Sequence, residues 1–267
     1  MGLTVADAIA MLEDRGGTIA FLSESGSRAW GMAGPDSDHD LVAVTIHPLA
    51  AYAALLPPES NALLADAPGL SLVCFDMRHA LTMTANGNPY LAERCATTHA
   101  GIPTVAEEFL AYSRRAFDPK VAVRTWSKTG RAVFRARIDG SDTAEPKRYA
   151  ALLRPSMAIH RLMAGGAGLP PRDVRELAAE ADAPAFVKDF LEDLVAARKA
   201  GGAEAQVPRR ADIEGYWAEA ESMAAKVAER PTVTTRHREL MDEGSALMVR
   251  WCDMLAEPVP STAPATA

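Results

Sequence analysis

Ser25-Gly26-Ser27-Arg28-Ala29-Trp30-Gly31-Met32-Ala33-Gly34-Pro35-Asp36-Ser37-Asp38-His39-Asp40 is the stretch on which the fold turns. Before it, Thr18 to Ser25 are apolar and short enough for a buried strand, and after it Asp40 to Ile46 form a β-branched run that reads as a second strand. Gly26 allows a sharp turn at the end of the first strand. Ser27 then offers a hydroxyl and an amide at the start of a short helix, where unpaired N–H groups attract phosphate. Gly31, Gly34 and Pro35 stop that helix and send the chain back into the second strand.

On a strand, side chains alternate between faces, so Asp38 and Asp40 point one way and His39 the other. Two carboxylates about 7 Å apart at Cα suit a pair of Mg²⁺ or Mn²⁺ ions. Two such ions would clamp the attacking oxygen and the leaving pyrophosphate oxygen of an in-line displacement. Pro-Asp-Ser-Asp is also ordinary turn chemistry, and an Asp-x-Asp pair alone carries little. The Gly-Ser turn, the aspartate pair and a strand on each side carry the reading together.

Gly26-Ser27-Arg28-Ala29-Trp30-Gly31 followed by Pro35-Asp36-Ser37-Asp38-His39-Asp40 resembles the polymerase-beta-type nucleotidyltransferase superfamily. Within it the chain is similar to the YcgL-like group, described as RNA-repair-pathway polymerase-beta-like proteins. Further matches to that group are Asp76 to Leu81, Gly87-Asn88-Pro89 with Glu93, Lys147-Arg148-Tyr149 with Leu153-Arg154-Pro155, Leu169-Pro170-Pro171, and Ala197-Arg198-Lys199-Ala200-Gly201. The resemblance covers roughly residues 19 to 215 in order. His39 departs from the aromatic residue expected there, on the face turned away from the carboxylates.

The resemblance implies an α+β fold: a small mixed sheet with helices, then an all-helical region. It implies a metal-dependent nucleotidyltransferase that moves a nucleoside monophosphate from an NTP to an acceptor hydroxyl, with RNA as the acceptor. The NTP would sit on Gly26, Ser27 and Arg28, with Lys147 and Arg154 gripping its phosphates. The superfamily's third carboxylate would be Asp76, at the end of the strand candidate Leu70 to Phe75, as metal ligand or general base. Asp76 equally reads as the N-cap of a helix beginning at Met77. Trp30 reads as a stacking surface for a base or as core.

The chain has 267 residues, 48% of them hydrophobic, enough for one or two cores. No apolar run approaches the roughly twenty residues of a membrane span, and the first fifteen residues carry Asp7, Glu13 and Asp14 where a signal peptide would be basic and then apolar, so a cytoplasmic protein is expected. Cys74, Cys95 and Cys252 have neither paired nor metal-ligand spacing and are expected to be reduced packing residues.

The net charge of −7 is unevenly spread. Residues 1–100 hold four basic and eleven acidic side chains, whereas residues 114–161 hold twelve basic and four acidic. Within the basic segment Lys120, Arg124, Lys128, Arg131 and Arg135 recur at helical spacing with no acid between Asp118 and Asp139. One reading is a solvated helix face; the other is contact with phosphate or RNA, joined by Arg148.

Three strands and their helices are expected up to residue 100 after an amphipathic helix from Thr4 to Arg15. Helices follow over Thr104–Phe117, Pro119–Ile138, Pro146–Met163, Pro171–Ala181, Pro184–Lys199, Asp212–Arg230 and Thr235–Leu255. The expected division is a catalytic domain over 1–100, a helical domain over 101–257 and a disordered tail over 258–267. Transfer to a protein or small molecule, or an inactive nucleotide-binding module, remain as alternative functions.

Overall fold

A computed structural model describes residues 2–95, 98–201, 205–227 and 235–256. In chain order the elements are α1 (Val5–Glu13), β1 (Thr18–Ser25), α2 (Gly26–Ala29), β2 (His39–Ile46), α3 (Leu49–Tyr52), β3 (Asn61–Ala67), β4 (Leu70–Asp76), α4 (Met77–Ala85), β5 (Thr98–Gly101), α5 (Pro103–Ala116), α6 (Pro119–Arg137), β6 (Thr143–Ala144), α7 (Pro146–Met163), α8 (Val174–Glu180), α9 (Ala185–Gly201), β7 (Val207–Pro208), α10 (Ala211–Ala225) and α11 (Thr235–Ala256). The fold is α+β: a five-stranded mixed sheet followed by helices.

The sheet runs β3-β4-β2-β1-β5, and β2 with β4 is its parallel pair. Three of these strands were expected. The hairpin partner β3 and the edge strand β5 were not, because Asn61–Ala67 and Thr98–Gly101 lack a β-branched run.

One sheet face packs Leu22, Leu41 and Leu72 against Leu12 of α1. The other packs Phe21 and Val44 against Phe109 of α5 and Trp251 of α11. A third cluster, built on Trp126, Tyr149, Leu153, Val187 and Leu194, lies among α6 to α10 and takes in Met32 from the loop after α2. The cores therefore do not divide at residue 100: α5 and α11 complete the sheet's core, and Met32 belongs to the helical one.

Helix ends follow their caps. Thr4 and Asp7 form a reciprocal capping box on α1. Pro119 and Pro146 open α6 and α7 at their first turns. The helix expected from Pro171 starts instead at Val174, because Asp173 caps it by accepting the N–H groups of Arg175 and Glu176. The helix expected to reach Arg230 ends at Ala225; its last three positions, and the tail 258–267, lie outside the described residues. Cys74, Cys95 and Cys252 are free and buried, as expected of packing residues. Among the described residues no helix is long and apolar enough to cross a membrane.

Candidate active site

Gly26 adopts φ +59°, the left-handed region that favours glycine. A Cβ placed on it would fall on the carboxylate of Asp40, so the turn and the aspartate fit only because residue 26 has no side chain. Ser25 pairs with Asp40 across β1 and β2, and Asp40 with Ser71 across β2 and β4. Ser71 in turn pairs with Asp66 on β3. Residues opposite one another share a face, so Asp40, Ser71 and Asp66 line up across three strands.

The loop carrying Asp38 is fixed from several sides. Arg28 donates from Nε and Nη2 to the Ser37 carbonyl at 3.2 and 2.6 Å, and from Nε to the Asp38 carbonyl at 3.3 Å. The Ser37 hydroxyl accepts from the Gly34 N–H at 2.9 Å and from Nη2 of buried Arg198 at 2.8 Å. Asp38 Oδ1 accepts the Gly69 N–H at 2.8 Å, leaving its second oxygen for another partner.

These elements enclose a cavity of about 340 Å³, within the range of small-molecule sites. Asp36, Asp38, Asp40 and Asp66 line it, and Gly26, Ser27, Lys147, Arg148 and Arg198 line it too. Burial pushes the Asp40 carboxyl above its ordinary range; the Asp38 and Glu24 charges push it further, while Lys147 and Arg94 pull it back. Lys147 lies 3.1 Å from Glu145 Oε2 at the cavity's edge and is half-exposed.

The donors available to a metal are all carboxylate oxygens, a set suited to Mg²⁺ or Mn²⁺ rather than to zinc. Among the described residues no three histidine, cysteine, aspartate or glutamate side chains converge as a finished ligand set. The residues that fit a divalent cation are Asp38 and Asp40, with Asp66 reaching from about 10 Å away at Cα, two strand spacings across the sheet.

Gly26, Ser27, Asp38, Asp40, Lys147 and Arg148 are thus brought together, and Asp76 is not. Because β4 runs parallel to β2, its end pairs with Thr45, five positions and roughly 16 Å beyond Ser71. Asp76 there accepts the Arg78 N–H and the Tyr52 hydroxyl, both at 2.9 Å. It is the cap of α4, so its assignment as metal ligand or base is corrected.

Arg28 is occupied with the loop carbonyls rather than facing the cavity. Arg154 is buried beside Glu93, with Nη1 at 3.3 Å from Oε1, and lines a neighbouring cavity. Lys120, Arg124, Lys128, Arg131 and Arg135 are exposed on the outer side of α6 and do not line the 340 Å³ cavity. Arg131 is tied to Glu221 of α10 at 2.8 Å.

His39 faces away from the carboxylates, as expected: its Nδ1 and the Nε2 of His99 each lie 2.9 Å from Glu24 Oε2. Sequence reasoning missed Asp66 and Arg198 as site residues. Asp66 is visible only through strand register, whereas Arg198 lay within a matched stretch and had been left without a role.

The model of the RNA repair pathway DNA polymerase beta family matches residues 1–249. The chain belongs to that family. It is also 26% identical over 227 residues to the Bacillus subtilis (strain 168) protein named "Uncharacterized protein YcgL", covering 81% of this chain and 84% of that one. The RNA repair polymerase beta assignment spans both the strand-borne carboxylates and the helices that supply Lys147 and Arg198.

Proposed function

We propose that this family member is a metal-dependent nucleotidyltransferase that moves a nucleoside monophosphate from an NTP to an acceptor hydroxyl and releases pyrophosphate. The observation that carries the reading is the Asp40 carboxylate nested on the Gly26 turn, in one cavity with Lys147, Arg148 and Arg198. Gly26 and Ser27 hold the triphosphate with backbone and hydroxyl donors, and the three cations offset its charge. Asp38 and Asp40, assisted by Asp66, hold Mg²⁺ or Mn²⁺, two ions when the NTP is bound. The metal would polarise the α-phosphate and acidify the acceptor hydroxyl. Asp40 is placed to take up that hydroxyl's proton or to orient its oxygen, since its burial and its acidic neighbours raise its affinity for a proton. The rest of the rate enhancement is positioning.

The family's RNA-repair description and the basic face of α6 support an RNA acceptor, and we place the reaction in the cytoplasm. The position of that face outside the cavity is the observation that favours the second reading, transfer to a protein or small molecule. Incubation with α-labelled NTP, Mg²⁺ and either RNA or protein extract tests both. Label on RNA is the expected result. Label on protein alone would move the function to the second reading, and no transfer by wild type beyond that of Asp38→Asn with Asp40→Asn would sink both.

A further inference from the structure

Beyond the 340 Å³ cavity the cleft continues past Asp40 along β2 and β4. A cavity of about 180 Å³ is lined by Asp40, Ser71, Tyr90 and Arg94. Next to it lies one of about 120 Å³, lined by Tyr90, Arg94, Trp126, Arg154 and Pro155. Arg94 and Arg154 also line a narrow gap with Arg172 and Glu93. Three guanidinium groups thus meet beside a single lining carboxylate, Glu93, among the described residues. Glu93 is already shared, accepting Trp126 Nε1 at 3.0 Å and lying 3.3 Å from Arg154.

Two of these arginines have unused donors. Arg154 is only 5% exposed, and its Nε is buried without a hydrogen-bond partner; the Nε of Arg94 is buried and unpartnered too. The Arg94 guanidinium carbon sits over the Tyr90 ring, 3.7 Å from its centroid, and Nη1 donates to the Tyr90 carbonyl at 2.9 Å, which together hold the side chain in place. Burial, reinforced by the neighbouring Arg154 and Arg94 charges, pushes Arg172 below its ordinary range. A buried and a half-buried guanidinium, each with an unpartnered Nε and with the Arg172 charge close by, are a costly arrangement that a bound anion would relieve. Their fork geometry matches phosphate.

We propose that Arg94 and Arg154, with the Arg172 charge behind them, form a second phosphate site at the adjoining cavities, apart from the triphosphate position, which takes a phosphodiester of the acceptor strand beside its terminal nucleoside. Half-buried Tyr90, backed by buried Trp126 and Pro155, gives the adjoining cavity an apolar wall for the base next to that phosphate. Asp40 and Gly26 border both cavities, so an acceptor seated here and an NTP seated on Gly26 and Ser27 meet at Asp40. This rests on the nucleotidyltransferase reading with a nucleic-acid acceptor.

The test is calorimetric titration of the full chain in Mg²⁺ with three probes: α,β-methylene ATP, the dinucleoside monophosphate ApA, and adenosine. ApA is expected to bind protein already saturated with the ATP analogue, and more tightly than adenosine. Arg94→Gln is expected to weaken ApA about tenfold, the loss of one charge-assisted hydrogen bond, while changing the analogue less than twofold. Competition between ApA and the analogue, equal loss of both in Arg94→Gln, or equal binding of ApA and adenosine would overturn the proposal. Arg94→Lys, which keeps the charge but not the fork, is the second variant should Arg94→Gln unfold; it is held to the same criteria with an expected loss of about threefold. If the analogue fails to bind wild type, the proposed function falls, while ApA against adenosine still decides the second site.

Discussion

The Asp40 carboxylate occupies the space that a Cβ on Gly26 would take. The Gly-Ser turn and the Asp40 carboxylate are therefore a single packed unit. Gly26→Ala meets both a strained φ of +59° and this clash. It is expected to cost about 1–3 kcal/mol in denaturant unfolding. It is also expected to weaken NTP-analogue binding at least about tenfold, because relief of the clash moves the turn or the carboxylate. Binding that stayed at the wild-type level would show that the two do not act together.

Asp40 has a sign that can be worked out. Burial, with Asp38 and Glu24, raises its folded pKa above the ordinary 3.8. Between 3.8 and that raised value the folded state keeps a proton that the unfolded chain has lost, so stability falls as pH rises through the window. Above the raised value the penalty is fully present. Asp40→Asn is therefore expected to raise Tm at pH 7 by a few degrees while lowering transfer about a thousandfold. The Tm difference should vanish below pH 3.8. Mg²⁺ should raise the Tm of wild type and not that of Asp40→Asn.

Asp76 and Asp66 are expected to separate cleanly. Asp76→Ala removes the cap of α4 and the partner of Tyr52, and should cost about 1–2 kcal/mol of stability with little change in NTP binding. Asp66→Asn, on an exposed strand position, should leave Tm within about a degree and lower kcat at least about tenfold. Thermal melts beside steady-state kinetics of both variants are sufficient; the reverse pattern would restore Asp76 to the site.

The face of α6 is tested by salt. The triple variant Lys120→Ala, Lys128→Ala, Arg135→Ala is expected to flatten the plot of log binding constant against log salt for single-stranded RNA by about 2, at roughly 0.7 per lost phosphate contact. NTP-analogue affinity should stay unchanged, because none of the three lines the triphosphate cavity. An unaltered salt slope would leave the face as plain solvated surface.

Local chemistry was readable in the sequence and long-range register was not. Gly26, Ser27, Asp38 and Asp40 lie within fifteen residues, and their turn and alternation follow from neighbours alone. The helices with proline at their first turn, such as Pro146–Met163, were equally legible. Asp76 was misplaced because its position depends on whether β4 runs parallel or antiparallel to β2, which no local pattern records. Asp66 was missed for the related reason that it reaches the site through a hairpin partner, two strands from Asp40. The resemblance implies Arg28 and Arg154 as ligands of the NTP phosphates; Arg28 is drawn off by the loop carbonyls, and Arg154 sits beside Glu93 in the neighbouring cavity and not in the one that Gly26 and Ser27 line.

The bond from Arg198 to Ser37 spans 161 positions. During synthesis the Gly-Ser turn and both aspartates emerge early, yet the loop that aims Asp38 is not fully held until α9 has been made and has docked. A chain ending near residue 100 would carry the Gly-Ser turn and both aspartates but lack Lys147, Arg148 and Arg198, and its Asp38 loop would be only partly held. Under the proposed function, the aim of Asp38 would therefore depend on the docking of a helix more than 150 residues downstream.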